Sequence, residues 1–122
     1  MAVEPVETVE TVDTVEQYRQ WIQELLLERA SRKQAAPEVE AQAVLDTERD
    51  HYLLLHTGWR GSRRTHGCSI HIDIKDGKIW IQHDGTEVGI ATHLLEKGVP
   101  PDRIVLGFHS PQMRQYTEFA VF

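Results

Sequence analysis

The sequence predicts an α+β fold in the order α-β-β-β-β-α-β: an antiparallel four-strand meander plus a short fifth strand, packed against two helices. Three observations predict it. Between Thr65 and Gly89, Ile70, Ile72 and Ile74 alternate with His71, Asp73 and Lys75, and after Asp76-Gly77, Ile79 and Ile81 alternate with Trp80 and Gln82. Period-two patterning on both sides of an Asp-Gly pair signals a hairpin, because these residues accept the positive φ angles of a type I′ turn. Val15, Tyr18, Ile22, Leu25 and Leu26 recur at helical spacing, and this stripe is the natural cover for an isoleucine-rich sheet face. At 122 residues the chain has room for one core and little more.

Taken in order, residues 1–13 form an acidic, low-complexity stretch with valine every third position, which suits neither helix nor strand. The expectation is a disordered tail over 1–13 and a single domain over 14–122. Thr14-Val15-Glu16-Gln17 matches a capping box, so the first helix is expected from Val15 to about Gln34, short of Pro37. Val39, Ala41, Ala43 and Leu45 share one side of a strand at about 38–46. A polar turn leads to a second strand at 51–59, and Arg60-Gly61-Ser62-Arg63-Arg64 turns the chain into the central hairpin, strands 65–75 and 78–83. A two-residue turn sets Lys75 opposite Lys78, Asp73 opposite Trp80, Ile72 opposite Ile81 and His71 opposite Gln82. Asp84 as N-cap with Glu87 three residues on predicts a second helix with Val88, Ala91, Leu94 and Leu95 buried, closed by Gly98 and Pro100-Pro101. Ile104–Phe108 reads as the added strand. The apolar end around Tyr116 and Phe119 packs back or meets a partner.

Charge narrows the function. Of 19 acidic and 13 basic residues, five acids and no base lie in residues 1–16, leaving a body with 13 basic against 14 acidic side chains. A near-neutral body lacks the basic excess of an autonomous DNA binder, so direct nucleic-acid binding is not expected. No leader of the secretory type and no run of about 18 apolar residues is present, and the one cysteine, Cys68, has no partner for an internal disulfide. The expected setting is the cytoplasm, with no membrane contact.

Candidate chemistry is sparse. His71 and Asp73 share a sheet face at i and i+2, with His66 or His83 needed as a third metal ligand. Two ligands without a Cys-x-x-Cys or His-Glu-x-x-His pattern do not make a site, so no metal and no cofactor is assigned. A nuclease reading would gather Asp73, Asp84 and Glu87 around magnesium, with Lys75 nearby, but Asp84 and Glu87 are better explained as helix caps. Cys68 with His66 or His71 as base would be a nucleophile in a strand, without the helix-start setting that activates a thiol. The sequence therefore points to no catalytic residue. Arg60, Arg63 and Arg64 form a basic loop suited to phosphate or an acidic partner.

The runs Asp46–Trp59, Arg63–Ala91 and Asp102–Val121, with the opening Glu16-Gln17-Tyr18-Arg19, resemble the XisI family, controlling factors for excision of the fdxN element in cyanobacteria. The resemblance covers roughly residues 14–121. It implies an accessory protein in a programmed DNA rearrangement, with cutting and joining left to a separate recombinase, and a neighbour of the XisH type, itself similar to restriction-endonuclease-like nucleases. The family brings no catalytic residues to carry over. The resulting expectation is a non-catalytic, protein-binding regulator. Its candidate partner-binding residues are Arg60, Arg63, Arg64, His71, Asp73, Trp80, Gln82, Tyr116 and Phe119. The alternatives are a metal-dependent nuclease or nuclease subunit, and a DNA-binding module. Homodimerisation is one way to cover the edges of a meander.

Overall fold

A computed structural model describes residues 12–34 and 36–122. Apart from Val12 and Asp13, the expected tail lies outside them. The elements are α1 (Val12–Ala30), β1 (Val39–Asp46), β2 (His51–Arg60), β3 (Arg63–Lys75), β4 (Lys78–Asp84), α2 (Ile90–Lys97), a 3-10 turn (Pro101–Arg103), β5 (Ile104–Leu106) and α3 (Pro111–Arg114). The five strands form one sheet in the order β1-β2-β3-β4-β5. The first four are antiparallel, and β5 adds parallel to β4. The α+β class and element order are those expected.

One face of the sheet is sealed. Tyr52 and Leu54 from β2, Ile70, Ile72 and Ile74 from β3, Ile79 and Ile81 from β4 and Ile104 from β5 are buried there. They pack against Tyr18, Ile22 and Leu26 of α1 and Ile90 and Leu94 of α2. Helix α1 crosses β1 and β2 while α2 lies against β4. Burial of this many branched side chains, each contributing roughly 1.5–3 kcal/mol, is the main stabilising term.

A clamp that the sequence reading missed fixes α1 to the β1–β2 turn. The Arg19 guanidinium donates to both carboxylate oxygens of Asp50, at 2.8 and 3.0 Å, and the Tyr52 hydroxyl donates to the same carboxylate at 2.8 Å. Burial pushes Asp50 up, but the bonds from Arg19 and Tyr52 outweigh it and hold this carboxyl below its usual range. Burial, and then the bond to Asp50, push the Tyr52 phenol up.

Both helices depart from expectation at their ends. Helix α1 already includes Val12, so Thr14 is interior and its capping box does not start the helix. Docking of Val15 and Tyr18 on the core overrides the modest propensity of the β-branched residues before them. The helix stops at Ala30 and not at Gln34. The Ser31 hydroxyl donates to the Glu28 carbonyl at 2.6 Å, and the last turn tightens. Helix α2 starts at Ile90 and not after Asp84. Asp84 ends β4 and organises a loop: its Oδ1 accepts from the Thr86 amide and hydroxyl, and its Oδ2 accepts from the Ile90 amide at 2.7 Å. It still satisfies a helix-start donor, but across an intervening loop, so Glu87 is no N3 partner and Val88 is exposed. The other end is as expected, with Gly98 in the left-handed region and the Val99 amide bonded to the Leu94 carbonyl.

Candidate functional site

Among the described residues no helix covers the second face of the sheet across β1–β3, and two bulges decide what stands on it. Near the β2–β3 turn, Arg60 pairs with Arg63 and Leu55 with Cys68; beyond an irregularity at Leu54/Leu55, Leu54 pairs with Ile70 and His51 with Asp73. Ser69 is the extra residue. An unbroken ladder would have set His51 against Ile72. A second irregularity between β3 and β4 pairs His71 with His83, so His71 does not face Gln82 as expected from the turn. Gln82 is the extra residue here. The remaining pairs, Lys75 with Lys78, Ile74 with Ile79, Asp73 with Trp80 and Ile72 with Ile81, are as expected. Each bulge re-aims side chains locally, which is its usual use in sheets.

The result is a network centred on Asp73, which is only 7% exposed. Its Oδ1 lies 2.8 Å from His51 Nδ1 and 2.9 Å from His71 Nε2, and its Oδ2 accepts from Gln82 Nε2 at 3.2 Å. Burial pushes Asp73 up, but the His51 bond, the charge of His71 and the Gln82 bond prevail and hold it below the usual carboxylate range. The bond to Asp73 raises His51 against the effect of desolvation. Gln82 lies close to the backbone of Gly107: a Cβ there would stand 2.5 Å from its side-chain oxygen and 3.2 Å from the Ile81 carbonyl, so a larger residue would press on this amide.

Beside the network lies an aromatic patch. Trp80 has Lys75 Nζ 4.2 Å and the Arg114 guanidinium carbon 5.2 Å from its ring centre, both within cation–π range. Arg114 also donates to the carbonyls of His109 and Val121, at 3.0 and 3.2 Å, and so folds the C-terminal segment against the sheet. Ala120 adds a parallel bridge to Val105 on the outer side of β5. Phe119 packs on the core, whereas Phe108, Met113 and Tyr116 are exposed, Tyr116 by 76%. The apolar end thus packs back and still presents aromatic surface.

The candidates named from sequence fall into three groups. His71, Asp73, Gln82 and Trp80 come together on the open face. Tyr116 belongs to the exposed C-terminal surface, whereas Phe119 is partly buried against the core. Arg60, Arg63 and Arg64 stand apart at the β2–β3 hairpin tip, all exposed, with Arg64 over the Trp59 ring at 5.4 Å. The nuclease set does not assemble. Asp84 pairs opposite Ile70, on the helix side of the sheet, and its carboxylate is committed to Thr86 and Ile90, while Asp73 is on the open side. Neither His66 nor His83 joins His71 and Asp73. Among the described residues, the group of His, Cys, Asp and Glu whose ligand atoms converge within 4.8 Å is His51, His71 and Asp73. His51 went unrecognised because nothing near Ser69 announces the bulge that brings it opposite Asp73.

Fold and site together define a small α+β protein with one sheet face sealed by helices and the other carrying a His–Asp–His network beside a cation-flanked tryptophan. The family model described as XisI protein matches residues 12–121, and the chain belongs to the XisI family. Two solved structures from Anabaena variabilis ATCC 29413 resemble it. One is a XisI-like protein, 44% identical with a TM-score of 0.83, the match covering 88% of this chain and 99% of that one. The other is the fdxN element excision controlling factor XisI, 37% identical with a TM-score of 0.77, covering 88% and 98%. A comparison with curated proteins gives no match. Among the described residues no helix is long and apolar enough to cross a membrane.

Proposed function

We propose that the protein is a non-catalytic controlling factor for excision of a DNA element, and that it acts by binding a nuclease-like partner of the XisH type. Membership of a family whose solved relative is called an excision controlling factor supports the role. The observation that carries the mode of action is the open face itself. Trp80 with the Lys75 and Arg114 cations over its ring, together with exposed Phe108, Met113 and Tyr116, supplies the residue types of a binding hot spot. The dispersal of Asp73, Asp84 and Glu87 favours this reading over the nuclease one.

The test is to mix the pure protein with its XisH-type neighbour and measure association by calorimetry. A complex at micromolar concentration is expected, and Trp80→Ala should weaken it by about 2 kcal/mol, near 30-fold. No complex at that concentration rejects the proposal.

A second reading has one observation in its favour. Arg60 and Arg63 face each other across the hairpin tip, where like charges opposed in a ladder are unfavourable unless something neutralises them. An acidic partner surface or DNA phosphate would do so. Gel shifts with a steep salt dependence, lost in Arg60→Ala/Arg63→Ala, would select DNA.

A further inference from the structure

We propose that His51, His71 and Asp73 bind a divalent transition-metal ion on the open face of the sheet, with zinc as the representative ion. The donor atoms already point at one another. His51 Nδ1 and His71 Nε2 lie 2.8 and 2.9 Å from the same Asp73 oxygen, and all three ligand atoms are mutually within 4.8 Å. Zinc bonded at about 2.0–2.1 Å in tetrahedral geometry sets its ligands roughly 3.3 Å apart. The ion would bond the lone pairs of His51 Nδ1 and His71 Nε2, and the protons on those atoms would leave to solvent.

Three further features fit a metal site. Asp73 is 7% exposed, and among the described residues its carboxylate is bonded by His51, His71 and Gln82 and by no lysine or arginine. A divalent ion would give this buried carboxylate a counter-charge that does not depend on protonation of the imidazoles. Gln82 binds Oδ2 and leaves Oδ1 to the ion, the kind of outer contact that orients ligating carboxylates. The ligands also stand on adjacent strands of one sheet, a rigid support. Two imidazoles with one carboxylate suit zinc, nickel, cobalt or copper better than magnesium or calcium. The His51 and His71 side chains are 51% and 35% exposed, so the outer coordination position faces solvent.

The test uses full-length protein, free of any histidine tag and stripped with a chelator, titrated with zinc by calorimetry and by competition with a chromophoric chelator. One equivalent should bind with a dissociation constant of about 10 µM or tighter at pH 7.5. Affinity should fall steeply toward pH 5.5 as protons compete for the imidazoles. His51→Gln and His71→Gln should each weaken binding at least ~10-fold, whereas His66→Gln and His83→Gln should leave it unchanged. His51 is half exposed, so His51→Gln reports on binding without threatening the fold, and circular dichroism verifies each variant. Absence of binding at about 100 µM zinc overturns the proposal. So does a loss smaller than ~10-fold in His51→Gln/His71→Gln, which would place the ion elsewhere.

Discussion

The two faces of the sheet are made from the same strands and obey different rules. The helix-covered face is built by alternation alone, with isoleucine at every second position of β3 and β4 wherever a helix is to be met. The open face is built by interruptions of that regularity. Ser69 and Gln82, one extra residue each, move His51 opposite Asp73 and let the Gln82 amide reach the same carboxylate. Pattern supplies stability, and departures from pattern supply the site.

This contrast is open to attack from its strong side first. Ile72→Ala, in the middle of the sealed face, should cost about 2–5 kcal/mol, read as a drop in the urea midpoint without a change in slope. Next comes the clamp. Asp50→Ala removes charge-assisted bonds from Arg19 and Tyr52 and should cost about 1.5–3 kcal/mol. Because the folded Asp50 titrates below its usual range, that loss is full above about pH 4 and shrinks as pH falls through the depressed value.

On the open face the effects are smaller and conditional. His51 is raised in the folded protein, so the stability that its charge adds is full below about pH 6.5 and disappears as pH rises through the elevated value. Metal-free His51→Gln should therefore differ from the parent protein in acid-side unfolding curves and converge with it in mild alkali. Val44→Lys, on the same face, should change stability by no more than about 0.5 kcal/mol. If it cost as much as Ile72→Ala, the open face would have to be reckoned a second core.

Most of the scaffold was legible from sequence because it rests on local signals. The Asp76-Gly77 turn, with both residues at positive φ, sets the central hairpin register as far as Ile72, and the Gly98 cap ends α2 where expected. What escaped was set at a distance. Asp84 was read as a cap on its own neighbours, but it bonds Ile90 six residues away. Thr14 looks like a helix start until core contacts extend the helix through it. His51 is 22 residues from Asp73, and their meeting depends on a one-residue slip that leaves no mark in composition. Of the candidate site, His71, Asp73, Trp80 and Gln82 were legible as residues of one sheet face, while the contributions of His51 and Arg114 required the tertiary arrangement.

The parallel attachment of β5 also bears on the order in which the molecule assembles and loosens. The four-strand meander closes through neighbouring hairpins, whereas β5 reaches β4 only after the chain has traversed α2, at greater loop-closure cost. Residues 104–122 therefore form the natural unit to detach first. Amide hydrogens of Leu106–Ala120 should exchange faster than those of Ile72 and Ile81 in the native protein, with Trp80 fluorescence reporting the same opening.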